Sequence, residues 1–435
     1  MRIAIIGSGI AGLTAAWRLA PRHEVTLFEA NDQAGGHTAT VDVEWQGQAY
    51  AIDTGFIVFN DWTYPNFIRL IEELGVAWQD SNMSFSLSCE RTGLEYNGTS
   101  LNSLFAQRRN ALNPRFLRML IDILRFSRRA PELLAPALAH DPATARLTLG
   151  EYLERGRYSR AFRERYIVPM GRAIWSATEA QMLGFPARSF VDFFQRHGFL
   201  NIDERPVWRA IKGGSREYVR ALLRQLRATV RTGTAIRRVD RTAQGVTLLT
   251  AQGESSAHDY VVFACHGPQA LALLANPSDS ERAILAEFSC QPNKVTLHTD
   301  QRILPRNPLA RAAWNYHLLA REQELLALTY DMNVLQSITA PVRFLVTLNR
   351  DADIDPARIL RQFEYQHPVY TPGAVQAQRR RPEISGQNRS FYCGAWWRYG
   401  FHEDGVVSAL WAVEDFARVT GDTGIATWQG AGAQP

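Results

Sequence analysis

Four consecutive apolar residues, Ile3, Ala4, Ile5 and Ile6, open the chain and run straight into Gly7-Ser8-Gly9-Ile10-Ala11-Gly12. An unbroken apolar run of this length fits a parallel strand covered on both faces. Past the glycines, Leu13, Ala15, Ala16 and Leu19 recur at helical spacing, and Val25, Leu27 and Phe28 read as a second strand. A helical pattern runs over residues 406–419. Residues 100–200 read mainly as helices. The alternating runs 294–298 and 343–348 predict a second sheet. No repeat of solenoid period interrupts this order.

The opening unit is therefore strand, glycine turn, helix, and each glycine has a task. Gly7 makes the tight turn, Gly9 leaves the backbone bare for a pyrophosphate, and Gly12 lets helix and strand pack closely. The helix start adds free N–H groups and a positive dipole end. Glu29 closes the second strand about 20 positions after the central glycine, where an acid grips a ribose hydroxyl. Gly430-Ala431-Gly432 has no strand before it and no helix after it, and reads as part of a C-terminal tail over 421–435.

Composition excludes several classes. The 435 residues are 46% hydrophobic and 21% charged, an ordinary globular balance, and long enough for two domains. The net charge of +5 rests on arginine, because Lys212 and Lys294 are the only lysines. Dispersed arginine without a reading motif argues against nucleic acid and leaves an anionic substrate or lipid surface open. Cys89, Cys265, Cys290 and Cys393 are too scattered for a C-x-x-C centre, so neither a metal nor a dithiol is expected. No secretory pattern or spanning apolar run is seen, so the expected location is the cytoplasm, with peripheral contact to the inner membrane face left open.

Glu29-Ala30-Asn31-Asp32-Gln33-Ala34-Gly35-Gly36-His37 resembles the extended fingerprint of the flavin amine oxidase and phytoene desaturase superfamily. The same superfamily is matched in order by Asp53-Thr54-Gly55-Phe56, by Lys212-Gly213-Gly214-Ser215, by the runs near Val230 and Val261, and by the stretch from Phe391 to Gly405. The resemblance implies an α/β, Rossmann-like FAD-binding domain with an interleaved α+β substrate domain, and non-covalent FAD. The cofactor residues it implies are Gly7, Gly9, Ile10, Ala11, Gly12, Glu29, Ala30, Gly35, Gly36, His37, Thr54, Gly55, Phe56, Val230, Gly394, Gly405 and Val406. Ala395 stands where many relatives carry an acid, and His37 where many carry arginine. The last helix is expected to aim its positive end at the flavin's pyrimidine edge.

By the same resemblance the cofactor domain draws on residues 1–75, 205–280 and 390–420, and the substrate domain on 76–204 and 281–389. Lys294, His402, Tyr399 and Trp396 are the expected surroundings of the flavin ring, Lys294 by likeness to a water-binding lysine of amine oxidases. His298, Asp300 and Tyr316 read more simply as structural hydrogen-bonders. More narrowly, Gly35-Gly36-His37-Thr38, Leu297-His298-Thr299-Asp300, Trp314-Asn315-Tyr316 and Gly400-Phe401-His402-Glu403-Asp404-Gly405 resemble a bacterial branch whose genes neighbour cyclopropane-fatty-acid-synthase-like methyltransferases. That resemblance implies an apolar or lipid substrate dehydrogenated at the flavin, with the electron acceptor undetermined. Amine oxidation and a non-catalytic flavin-binding role in lipid modification stay as alternatives.

Two further patterns carry two readings each. Seven arginines from Arg108 to Arg129 alternate with apolar residues on a predicted helix, which either rests on an anionic bilayer or, as preferred, packs inward with its arginines in water. Phe185, Phe190, Phe193, Phe194 and Phe199 either wall a substrate tunnel or, as preferred, fill a core.

Overall fold

The computed structural model describes residues 1–138, 141–201, 204–425 and 428. Its first sheet is five-stranded and wholly parallel, in the order 229–231, 24–28, 2–6, 260–263 and 390–392. Alternation along the central strand explains what covers it. Ile3 and Ile5 point into a core with Leu13, Ala16, Leu410, Val413 and Phe416, from the helices Ile10–Leu19 and His402–Thr420. Ala4 and Ile6 point the other way, onto Phe28, Val239, Leu248 and Trp411. Val239 and Leu248 belong to an antiparallel three-stranded meander, 236–241, 246–250 and 255–258. Both faces are thus buried, which is what the unbroken apolar run predicts.

The second sheet has seven strands, in the order 359–369, 289–298, 345–348, 327–331, 314–318, 85–89 and 94–97. Its backbone is the long antiparallel pair Ser289–His298 with Ile359–Val369. One side packs Leu87, Tyr96, Tyr316 and Leu328 against helices between residues 114 and 196, through Phe116, Phe126, Phe162 and Phe190. Phe185, Phe190 and Phe194 lie in that core as the packing reading has it, while Phe193, buried in the core, and Phe199, packed against it, also line the cavity between the two sheets, so the segment serves both readings. His298 and Asp300 are structural as well. His298 Nε2 lies 2.7 Å from Thr347 Oγ1, and Asp300 takes Arg302 side-chain donors at 2.7 and 2.9 Å. Tyr316 is buried in the same sheet core.

Strands of the first sheet come from both ends and the middle of the chain, and the glycines let them meet. Glu403 ties the last helix to the helix Pro65–Glu73, accepting from Asn66 Nδ2 at 2.6 Å and from the Phe67 backbone N–H at 2.8 Å. No side chain caps that helix from within, so a distant carboxylate satisfies its first turn. The segment after 420, expected as a tail, docks in part. Trp428 is buried, donates from Nε1 to Glu73 at 2.7 Å and lies under the Arg18 guanidinium, while Asp422 pairs with Arg22. Gly430, Ala431 and Gly432 lie outside the described residues.

Gly12 is the tightest contact of the opening unit: a Cβ there would stand 1.9 Å from the Gly7 carbonyl oxygen and 3.1 Å from Ala264 Cβ. Alanine normally favours a helix over glycine by about 1 kcal/mol, but a backbone clash of this kind outweighs it. Gly12→Ala is expected to destabilise the protein by about 1–3 kcal/mol in chemical denaturation. An unchanged or raised midpoint would show that helix and strand do not approach this closely.

Candidate active site

A single cavity of about 2010 Å³ runs from the glycine turn into the space between the two sheets. That is well above the ~300–1,000 Å³ of a pocket for one small ligand, and leaves room for a dinucleotide and a substrate together. At one end, Gly7 adopts φ +102 and the helix Ile10–Leu19 starts at Gly9 with no side-chain cap. A Cβ on Gly9 would meet nothing within 4 Å, because that direction is the cavity. Gly36, at φ +58, closes the cradle: a Cβ there would come within 2.9 Å of Gly9 Cα. Gly35 N–H is held by Ser8, through its carbonyl at 3.1 Å and its hydroxyl at 3.2 Å.

Glu29 is buried beside this cradle and fixed on both oxygens. Oε2 accepts from Ser8 N–H and hydroxyl, and Oε1 from Asn31 N–H and Nδ2. A carboxylate has about four acceptor positions, so a ribose hydroxyl would replace a side-chain donor, either Ser8 Oγ or Asn31 Nδ2. His37 follows on the cavity wall, and its Nε2 is buried without a hydrogen-bond partner. Such an orphan costs stability unless something fills the space before it. An anionic diphosphate over Gly9 and Gly36 would meet a bare backbone and uncapped helix N–H groups.

The remaining expected residues divide. Ala30, Thr54, Gly55, Phe56, Val230, Gly394, Trp396, Tyr399 and His402 all line the cavity, as do Ile10 and Ala11. Gly55 has its own backbone reason, since a Cβ would fall 2.1 Å from the His37 carbonyl oxygen. Gly394 turns at φ +152 and donates its N–H to Ser408 Oγ at 2.9 Å. Trp396 Nε1 donates to the Cys265 carbonyl at 3.0 Å, and Tyr399 Oη donates to Asp192 at 2.6 Å. His402 is clamped: it stacks on Phe56 with ring centres 3.5 Å apart and lies 3.0 Å from Thr38 Oγ1 and 3.1 Å from Tyr218 Oη.

Four expectations need correcting. Lys294 is exposed on the far face of its strand, paired with Asp351 at 3.5 Å, and does not line the cavity; its neighbour Val295 does. A strand turns alternate residues to opposite sides, so a shift of one position separates wall from surface. Gly405 and Val406 are also absent from the wall. Gly405 lets the last helix cross the first, with space for a Cβ closed by Ile10 Cγ2 at 2.5 Å, and Val406 is core. The last helix begins at the wall with His402, but its first turn holds two buried acids, Glu403 and Asp404. Its positive end is therefore met largely by the protein's own carboxylates.

Three histidines escaped the sequence reading. His266 and His367 face His37 across the cavity, each with its ring centre 5.9 Å away, and Tyr365 is at 5.5 Å. His266 lies just past the carboxyl end of a parallel strand, where ligands of such sheets bind, and that position was legible. Tyr365 and His367 share one face of an alternating strand, which period two also shows. His197 lines the cavity from within the aromatic segment, stacked on Phe193 at 3.8 Å. Its Nδ1 is 2.9 Å from the Phe193 carbonyl oxygen, which can only accept, so Nδ1 carries the proton and Nε2 the lone pair.

Residues 10–337 match the family model described as flavin containing amine oxidoreductase. The chain belongs to this family. Its members are flavin-dependent oxidoreductases, and FAD held without a covalent bond fits the cradle at Gly9, Gly36 and His37. A relative described as the flavin-containing monoamine oxidase AofH of Mycobacterium tuberculosis is 26% identical over 63% of this chain, a match that spans 59% of the relative's own length. A 1-hydroxycarotenoid 3,4-desaturase of Flavobacterium sp. is 37% identical over 23% of the chain and 19% of the relative. Two solved structures share the fold: cyclohexylamine oxidase of Brevibacterium oxydans (TM-score 0.68, 16% identity, 96% and 99% of the two chains) and a fatty acid isomerase of P. acnes that produces CLA (0.66, 17%, 97% and 98%).

Gly9→Val should separate cofactor binding from folding. Its side chain has free space in the cavity, so the melting transition of the FAD-free protein should stay near that of the wild type while visible flavin absorbance is lost. A yellow, fully loaded variant would remove Gly9 from the phosphate site.

Burial also makes the site sensitive to acid. It lowers the imidazoles of His37, His197, His266, His367 and His402, with His197 and His266 pushed down to about 4 and His367 to about 3. Unfolded imidazole titrates near ~6.5, so below that pH the unfolded chain binds more protons. The stability these groups contribute is complete above ~6.5 and is lost as pH falls towards 4. Asp53 and Glu403, pushed up to about 7 by burial, work in the opposite sense, as do Asp331, Asp404 and Glu414, which burial also raises, but the lowered imidazoles, with His23, His258, His298 and His317 added, outnumber them. The urea midpoint is expected to fall between roughly pH 6.5 and 4.5; a flat or rising midpoint would contradict the neutral, buried imidazoles.

Proposed function

We propose that the protein is an FAD-dependent oxidoreductase that dehydrogenates an apolar, acyl-chain substrate. One observation carries this reading: beyond the cradle, the cavity wall includes Tyr96, Tyr166, Met170, Ile174, Phe193 and Trp314, an apolar and aromatic group set beside the polar His197, Arg205 and Arg361. Apolar and aromatic side chains in the wall of so large a cavity suit a hydrocarbon chain, which gains roughly 0.8 kcal/mol per buried CH₂. The names of the carotenoid desaturase and the fatty acid isomerase point to the same substrate class.

The flavin would supply a ring that accepts a hydride from a C–H bond held against it. An allylic C–H is the suitable bond, because the neighbouring double bond spreads the positive charge left behind. Desaturation then needs the loss of one proton from the adjacent carbon. His197 is the group we assign to that proton: its tautomer is fixed with Nε2 free to accept, and its ring lies 5.7 Å from Phe401, next to His402. Burial keeps it neutral at pH 7, and therefore ready as a base although a weak one. His402 is too tightly held by Phe56, Thr38 and Tyr218 to exchange protons with substrate and serves to fix the wall.

Anaerobic mixing of the purified, FAD-loaded protein with unsaturated fatty acids or acyl lipids should bleach the flavin, while primary amines should not. Bleaching by amines alone would transfer the protein to the amine oxidases, and bleaching by neither would leave a flavin-binding partner. With a substrate in hand, His197→Ala is expected to slow product formation by about 10²–10⁴. An unchanged rate would exclude His197 as the base.

A further inference from the structure

The helix Pro114–Arg129 buries one apolar face and exposes another. Phe116, Met119 and Phe126 pack inward, with the carboxylate of Asp122 beside them. At about 100° per residue, Leu117, Ile121, Leu124 and Arg128 fall in a single stripe on the opposite side. Leu117, Ile121 and Leu124 are exposed, Ile121 to 58%. The turn before the helix adds Leu112, 89% exposed, and Leu101 is 76% exposed a little earlier. An inward-packed amphipathic helix accounts for the first face only. Nothing in that reading explains five large aliphatic side chains facing water in one stretch of the chain.

The charge around the stripe says what would cover it. Arginines 108, 109, 115, 118, 125, 128 and 129 lie in this stretch, and between residues 96 and 131 the single acid is Asp122. Asp122 is turned into the protein, where it pairs with Arg118 and Arg125. Arg109, Arg115, Arg128 and Arg129 are exposed and form no ion pair among the described residues. An apolar stripe edged by unopposed guanidinium groups matches a surface whose oil begins under a layer of negative charge. On its inward face the same helix reaches the cavity wall, where Phe116 packs on the lining residue Tyr96 with ring centres 5.7 Å apart. Among the described residues no helix is long and apolar enough to cross a membrane, so the contact is one of lying on the surface.

We propose that residues 101–129 dock the protein on an anionic lipid bilayer, with Leu112, Leu117, Ile121 and Leu124 entering the headgroup boundary and the arginines meeting lipid phosphates. Docking itself does not depend on the identity of the substrate.

The test is co-sedimentation of the FAD-loaded protein with vesicles of phosphatidylglycerol mixed with phosphatidylcholine, against phosphatidylcholine alone. Binding is expected on the anionic vesicles and should weaken as salt is raised. Leu117→Asp with Ile121→Asp should abolish it, and Arg128→Glu with Arg129→Glu should weaken it by about tenfold or more, at roughly 1 kcal/mol per arginine. Both pairs lie outside the cavity, so flavin content should be unchanged and certifies the fold. Wild type that stays in the supernatant, or variants that sediment as well as wild type, would overturn the proposal. So would a wild-type dimer in sedimentation velocity that the Leu117/Ile121 pair makes monomeric without any vesicle binding, since the stripe would then be a self-association face. Failure to bleach with lipids would overturn the substrate assignment and leave this one standing.

Discussion

Main chain lying against main chain is the constraint on which the molecule is built. At the first turn, Gly12 sits on the carbonyl of Gly7, Gly36 on the Cα of Gly9, and Gly55 on the carbonyl of His37. Three segments separated in sequence therefore pass within contact distance where any side chain would hold them apart. The same bareness that lets them converge leaves an opening at Gly9 and an uncapped helix start facing it. Packing density and anion binding are consequences of one choice of residue. The last helix joins this corner through a fourth glycine, Gly405 on Ile10, and brings His402 to the wall.

Around that corner the protein has assembled neutral polarity in place of charge. His37, His266, His367 and His402 sit in surroundings that penalise the imidazolium form, and two of them hold ring nitrogens without partners. A buried orphan nitrogen is costly in isolation. Its persistence beside an open cavity is understandable when the space before it is meant for a bound group that supplies the missing partner. The carboxylates at the start of the last helix follow the same economy: Glu403 and Asp404 are consumed in binding backbone N–H groups and leave little field for the cavity.

The opening strand, the glycine turn and the closing acid were legible because each is set by neighbours in the chain. Ile3 to Ile6 announce a strand with two covered faces, and both faces are covered. Glu29 was correctly placed near the cradle, but nothing local showed that Ser8 and Asn31 would already occupy its oxygens. Lys294 failed for a different reason. Alternation along its strand says that Lys294 and Val295 face opposite ways, and which of the two faces is the wall depends on a partner strand more than fifty residues later. Gly405, expected against the cofactor, instead lies against Ile10 of the first helix, a neighbour that local sequence does not name.

Local order along the chain thus dictated the class of fold, the cofactor turn and the family, since these follow from spacing that does not change when the chain folds. Convergence was beyond its reach. His37, His266 and His367 come from three distant segments, and no periodicity within any one of them says that the rings of His266 and His367 will stand within 6 Å of His37. The outward stripe of Leu117, Ile121 and Leu124 is the same case in reverse: a helix with two apolar faces can bury either, and only the packing of Phe116 and Phe126 into the neighbouring core leaves the other in water.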